Sequence, residues 1–349
     1  MTTVAIVVLT YNSLEETTKP CVESIYRAKT VIDFELVLVD NCSVDGTREY
    51  IQQIAATHEN ISVILNHSNL GYAAGNNIGI RATEASYYVL LNSDTLVTDC
   101  WLDKLVAFLG QHAGVGMVGP VSNSVGNEQI IHVEAENEGE IILEGLAWAE
   151  RCAGDYFHTS MLGFFCVAIR KEVIDSVGVL DENFGIGMFE DDDYCRRVID
   201  SGYQLACMED VFVLHKGSIS FKNANIDGLN ELFYQNMNKF EKKHSVRWRS
   251  GLTPPKFLRL IEGYIQESSD YPKVIFKIAN KIKVMHKFNY DAANDQAMQM
   301  AARLNEVYVS LSWKFGSGIA RALGKLPFSG LFYRMGMGIS KYLGPGRTG

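Results

Sequence analysis

The chain has 349 residues, 47% apolar and 21% charged, enough to bury a sizeable core and to form one large domain with an appendage. Its seven cysteines (Cys21, Cys42, Cys100, Cys152, Cys166, Cys195 and Cys207) are scattered and include no C-x-x-C pair, which argues against a disulfide framework and a thiolate zinc site. Residues 1–243 carry 16 Lys and Arg against 35 Asp and Glu, while residues 244–349 carry 16 against 6, and an acidic body with a basic tail argues against nucleic acid as a partner.

Thr3 runs straight into the apolar stretch Val4–Leu9, without the basic flank and cleavage region of a signal peptide, and no apolar run approaches the length of a membrane span. A cytoplasmic location is expected. Short β-branched runs then alternate with amphipathic segments. Strands are expected at Val4–Leu9, Phe34–Val39, Ile61–Leu65, Tyr87–Leu91 and Val115–Val118, with helices ending near Arg27 and over 46–56, 71–82 and 100–109. That alternation predicts an α/β, doubly wound fold, a mainly parallel sheet with helices on both faces. Residues 120–160 lose the rhythm and read as a polar, partly irregular insertion, followed by a strand over Gly163–Ile169 and a short helix over Lys171–Val177. Beyond Asp227, helical spacing over 228–243, 256–268, 272–287 and 292–313 predicts an α-helical C-terminal appendage.

In an open parallel sheet, ligands bind at the carboxyl ends of the strands, where strand order reverses. Polar residues cluster at four such ends: Thr10-Tyr11-Asn12, Asp40-Asn41, Asn66 to Asn69, and Asn92-Ser93-Asp94. Asp40 is placed to accept hydrogen bonds from a ribose or a base edge, and Tyr11 to offer an aromatic face; a turn residue and half-buried packing are the plainer readings. Asp94 can hold a hard divalent cation through oxygen, or simply cap the next helix. Gly71, Gly75 and Gly79 are not G-x-G-x-x-G, which argues against a dinucleotide-binding dehydrogenase; they suit close helix packing, with a helix start near Gly71 able to face phosphate. The run Glu190-Asp191-Asp192-Asp193 exceeds what helix capping needs, and its mutual repulsion can raise one carboxylate toward the pKa of a useful general base. His215 closes the apolar run Val211–Leu214.

Taken in order, Val8-Leu9-Thr10-Tyr11-Asn12, Val39 to Thr47, Asn69 to Asn77, Leu90 to Thr95, Phe189 to Asp193 and His215-Lys216-Gly217-Ser218 resemble the inverting family 2 glycosyltransferases of GT-A fold. The branch they look most like contains bacterial rhamnosyltransferases and galactofuranosyltransferases. The resemblance covers about residues 3–220. It implies a catalytic domain over 1–226, with a nucleotide-sugar half about 1–119 and an acceptor half about 120–226, followed by the helical region 227–349. It implies that Tyr11 and Asp40 contact the nucleoside, that Asp94 is the metal-binding end of a D-x-D motif with His215 a further ligand to Mg²⁺ or Mn²⁺, and that Asp191 is the general base. The donor is then expected against Thr10, Tyr11, Asn12, Asp40, Asn69, Gly71, Asn77, Asn92 and Ser93, and the acceptor against Glu190 and Asp192. One departure is Asn92 at the first position of D-x-D, which leaves the metal a single motif carboxylate.

By the same analogy the substrate is a nucleoside-diphosphate sugar, dTDP-rhamnose before a UDP-sugar, and the acceptor a glycan or lipid-linked hydroxyl. A sugar nucleotidyltransferase would need a Gly-rich, Arg-containing loop after the first strand, and Thr10 to Glu16 has none. A catalytically silent nucleotide-sugar or glycan-binding module is the other alternative. The apolar and basic residues from Ser312 onward, including Trp313, Lys314, Phe315, Arg321, Lys325 and Phe328, suit a helix on an anionic membrane surface, with a homo-oligomer interface the competing use.

Overall fold

The computed structural model describes residues 2–217 and 229–287. The expected helix over 292–313, the basic tail and Ser218 lie outside the described residues. The chain forms two units, Met1–Ser250 and Gly251–Gly349.

The first unit is built on strands β1 (Thr2–Thr10), β2 (Phe34–Asp40), β3 (Ile61–Leu65) and β4 (Ala85–Asn92), alternating with α1 (Lys19–Arg27), α2 (Thr47–Ala55) and α3 (Tyr72–Arg81). Val4 to Val8 are fully buried, as expected of a central parallel strand covered on both faces. Each Val or Ile side chain among them contributes about 1.5–3 kcal/mol of burial. Next come the two-residue β5 (Thr95–Leu96), α4 (Trp101–Gln111), β6 (Val115–Val121), α5 (Glu138–Arg151), β7 (Tyr156–Thr159), β8 (Cys166–Arg170) and α6 (Lys171–Val177). The unit continues with α7 (Glu190–Asp200), β9 (Gln204–Phe212), β10 (Leu214–His215) and α8 (Leu229–His244).

The eight-stranded sheet runs β3-β2-β1-β4-β8-β6-β9-β7, and β5 pairs with β10 in a separate ribbon. Strands β1 to β4 are mutually parallel where they pair, as are β6 and β9; β8 and β7 run against their neighbours. The mainly parallel, doubly wound sheet expected from the sequence is therefore present. Register sets Thr10 opposite Asp40 and Leu9 opposite Asn92. Because β2 and β4 flank β1, the chain changes direction there, and a crevice opens at the carboxyl ends of those three strands. α3 lies close on this part of the sheet, since a Cβ on Gly75 or Gly79 would strike the side chains of Leu9 or Val7.

Two stretches differ from the sequence reading. The insertion 120–160 contains the 14-residue helix α5, capped by Asn137, whose side chain accepts from the Glu140 amide at 3.0 Å. Gly145, Trp148 and Ala149 give α5 a buried stripe, and the Gly145 backbone lies against the Phe212 ring. The strand expected over Gly163–Ile169 begins only at Cys166, because Phe164 and Phe165 form a turn just before it.

In the second unit, α9 (Pro254–Glu267) and α10 (Tyr271–Lys287) form a helical pair. Phe257, Ile261 and Tyr264 are buried on one and Val274, Ile278, Ile282 and Met285 on the other, and Lys277 lies over the Tyr264 ring at 4.3 Å. Among the described residues, no helix is long and apolar enough to cross a membrane.

Candidate active site

At the ends of β1 and β2, Asp40 is fully buried and held from several sides. Its Oδ1 accepts from the Thr10 hydroxyl at 3.3 Å, its Oδ2 from the Ser43 amide at 3.0 Å, and the Arg48 guanidinium stands 3.6 Å from Oδ2. Asn12, in the left-handed region at φ 53°, ties the two loops together: its amide donates to Ser43 Oγ at 2.8 Å and its Oδ1 accepts from the Val44 amide at 2.9 Å. Tyr11 is half-buried beside them. Asn69 Oδ1 accepts from the Gly71 amide at 2.9 Å and from Asn41 Nδ2 at 3.2 Å. Asn77 is fully buried and committed to Leu180, exchanging bonds of 2.9 and 3.0 Å with its main chain, and to Glu182. Gly71 adopts φ 85°, where a Cβ would run into the Gly185 carbonyl. The Tyr72 amide that follows donates to the Ile186 carbonyl at 3.0 Å, so a first donor of α3 is already engaged.

On the next strand, Asn92 ends β4, its amide donating to the Phe165 carbonyl at 2.9 Å, and Ser93 is buried in the turn that follows. β5 pairs with β10, setting His215 opposite Thr95, and the Lys216 amide donates to the Asp94 carbonyl at 2.9 Å. This ribbon brings Asp94 and His215 together across more than a hundred residues of chain. His215 Nε2 stands 3.3 Å from Asp94 Oδ1, an ion-pair distance without the alignment of a good hydrogen bond. The other ring nitrogen, Nδ1, is 2.7 Å from the Ser124 carbonyl and must donate to it, and Phe165 stacks on the ring at 5.4 Å. Burial favours the neutral ring, but the adjoining Asp94 carboxylate and the Ser124 carbonyl outweigh it, and the pKa is raised. A neutral His215 would turn a lone pair on a carboxylate oxygen. A proton or a cation relieves that clash, so the pair fits a divalent ion. Among the described residues, no three His, Cys, Asp or Glu converge on one point, so this pair supplies two donors, and others must come from a ligand and water.

The acidic run opens α7, and the structure divides it. Glu190 is buried, with Oε2 unpartnered; burial, then the charges of Asp191 and Asp192, push its pKa up to about 8. Asp191, half-buried, is also raised by burial, although the amides of Asp192 and Phe164 hold it back. Asp192 accepts from the Trp248 indole at 3.1 Å. Asp193 is fully buried and bonded to Arg197 at 2.8 Å, Lys243 at 2.6 Å and His244 at 2.8 Å. Arg197 on α7 itself, Lys243 and His244 on α8 and the Trp248 indole thus relieve much of the repulsion that the sequence alone left to a ligand.

A carboxyl whose pKa is raised by folding stabilises the fold fully below its ordinary value, and that contribution is lost as pH climbs through the raised one. Glu190→Gln is therefore expected to leave the melting temperature unchanged near pH 4 and to raise it at pH 9 by ~2–4 °C or more, as read by calorimetry. An equal effect at both pH values would contradict the burial of an ionising Glu190.

Tyr72 and Phe164 join the two halves of the site, and sequence reasoning singled out neither. The Tyr72 hydroxyl donates to the Phe164 carbonyl at 2.6 Å. Its pKa lies well above the usual value because of burial, then the charges of Glu190, Asp191 and Asp94. The cation-competent aspartate and the raised carboxyls thus act on one phenol. For Tyr72 the available signal was an aromatic directly after the glycine at an expected helix start; Gly163-Phe164-Phe165 carried none.

Residues 5–178 match the family model Glycosyl transferase family 2. The chain carries a family 2 glycosyl transferase domain. Glycosyltransferase AglE of Haloferax volcanii is 23% identical over 215 residues, covering 61% of this chain and 66% of that protein. The putative teichuronic acid biosynthesis glycosyltransferase TuaG of Bacillus subtilis is 33% identical over 76 residues, covering 22% of this chain and 30% of that one. The chain spans between 21% and 66% of the length of the first curated relatives it matches. Among solved structures, the mannosyltransferase PcManGT of Pyrobaculum calidifontis, in complex with GDP-Man and Mn²⁺, matches 93% of this chain and 83% of its own, at 16% identity and a TM-score of 0.51. That likeness shows the GT-A type of fold for the family 2 domain and the elements after it. Glu190, Asp191 and His215 lie beyond the family match but within the first unit.

Proposed function

We propose that the protein is an inverting, metal-dependent glycosyltransferase that moves a sugar from a nucleoside-diphosphate donor to a hydroxyl of a glycan or lipid-linked acceptor in bacterial surface polysaccharide synthesis. One juxtaposition supports it most: Asp94, paired with His215, and the raised carboxyls Glu190 and Asp191 all act on Tyr72, beside the strand ends that carry Asp40. A sugar bound between them would have a base on one side and its diphosphate on the other.

Asp191 takes the proton of the attacking hydroxyl, since it is the less buried of the two carboxyls and its Oδ1 is oriented by the Asp192 amide at 2.9 Å. Glu190 and Asp192 contact the acceptor. Tyr11 and Asp40 receive the nucleoside, with Thr10, Asn12, Asn69, Gly71 and Asn77 shaping the wall behind it and Asn92 and Ser93 lining the approach to Asp94. Asp94 and His215 hold a Mg²⁺ or Mn²⁺ ion, which when bound neutralises charge developing on the departing diphosphate. With one carboxylate as base and no nucleophile assigned opposite it, a single displacement follows. The family resemblance favours dTDP-rhamnose as donor, with a UDP-sugar as the alternative. A cytoplasmic protein resting on the membrane through its basic C-terminal region, or self-associating there, fits the charge asymmetry of the sequence.

Proton NMR of the transfer product tests the displacement: the new linkage should carry the anomeric configuration opposite to the donor's, and a retained configuration would exclude Asp191 acting simply as a base.

A further inference from the structure

The segment leading into α7 is held in an uncommon conformation. Met188 and Phe189 are consecutive non-glycine residues at φ 75°, each of which costs about 1–2 kcal/mol relative to ordinary backbone. Phe189 is the residue on which α7 begins, and its carbonyl accepts from the Asp193 amide at 2.9 Å. The direction in which Glu190 and Asp191 leave the helix start therefore depends on a pair of dihedral states that the chain would not adopt unaided.

The restraint comes from α8. Asn236 is fully buried, and its side-chain amide donates to the carbonyls of Phe184 at 2.8 Å, Gly187 at 2.9 Å and Met188 at 3.1 Å. Two N–H hydrogens serve three acceptors, so one is shared. Lys239 fixes the amide from behind, donating to Asn236 Oδ1 at 3.0 Å and to the Asn183 carbonyl at 2.9 Å. The Phe189 ring is seated among Phe233, Phe240 and Trp248, with ring centroids 5.1–6.0 Å away. The helix and Trp248 lie past the family match, as do Glu190 and Asp191.

We propose that Asn236 is a positioning residue: it holds the Phe184–Phe189 segment in its left-handed turn and so aims Glu190 and Asp191 into the site. Holding the segment follows from the geometry; the consequence for transfer rests on the function proposed above. Asp at this position would set a carboxylate against three carbonyl oxygens, and Leu would leave those oxygens buried without a donor.

Hydrogen exchange and turnover on the full chain test it together. In Asn236→Leu, amides of residues 188–193 should exchange about tenfold or more faster than in the wild type, while those of β1 and β4 stay unchanged. Transfer should fall about tenfold or more with the donor KM within about twofold. Asn236→Ser, which keeps one hydroxyl donor and perturbs folding less, should show the same pattern at smaller amplitude. Unaltered exchange at 188–193 in both variants would overturn the proposal, as would equal acceleration across the sheet or accelerated exchange with undiminished transfer. Exchange reads the segment whether or not the wild type transfers sugar, so a failure of the functional reading would show separately, as a wild type without turnover.

Discussion

Asp191→Asn lowers sugar transfer by about 10²- to 10⁴-fold, the range a positioned general base contributes, while stabilisation by nucleotide with Mn²⁺ persists. The exchange is nearly isosteric, and the amides of Asp192 and Phe164 that orient the carboxylate can still meet the Asn oxygen. The pH profile carries the same claim. A base must be ionised to act, and burial raises the Asp191 pKa, so the wild-type rate should fall on the acid side at a pH above the ordinary carboxylate value of about 3.9. In the Asn variant that limb disappears. Glu190 should also ionise more readily there, since the Asp191 charge is among the causes of its own raised pKa. A variant retaining near-full transfer would remove Asp191 from the role.

Asp94→Ala is the second large expected effect. It removes one of the two protein groups placed to hold a cation and leaves His215 beside the Phe165 ring without its ionic partner. Mn²⁺-dependent binding of a nucleoside diphosphate, measured by titration calorimetry, should weaken at least about tenfold, and transfer should fall with it. Chelation of the wild type should mimic the transfer loss. A variant that binds nucleotide and metal as the wild type does would place the ion elsewhere.

How much of this was readable in the chain follows from which signals are local. Strands β1 to β4 are apolar runs with polar stops, so the sheet, the crevice and the positions of Asp40 and Asp94 could be read from periodicity and turn chemistry. α5 was missed because the acidic residues Glu134, Glu136, Glu138 and Glu140 ahead of it made the insertion read as polar, although Ile141, Ile142, Leu143, Leu146 and Trp148 follow and the capping Asn137 stood three residues before Glu140. β5 and β10 have two residues each, too short for any pattern, yet they bring Asp94 to His215. The acidic run was visible as one cluster; its division could not be, because, Arg197 apart, the partners of Asp192 and Asp193 lie about fifty residues downstream in α8 and at Trp248. Asn236 is invisible for the same reason: nothing in a helix of ordinary composition announces that one amide will meet three distant carbonyls. The basic tail, so suggestive as sequence, lies outside the described residues.

Thermal stabilisation of the purified protein by dTDP-, UDP- and GDP-sugars, with and without Mn²⁺, addresses the central claim most directly, because a ligand that binds the native state raises its melting temperature. At a ligand concentration 100 times its dissociation constant the gain is about 2.7 kcal/mol, well within reach of the method. A shift with one nucleotide class that requires the metal is the predicted result and would name the donor class. No shift with any nucleotide sugar, with or without Mn²⁺, would contradict a donor site at Asp40 and Asp94.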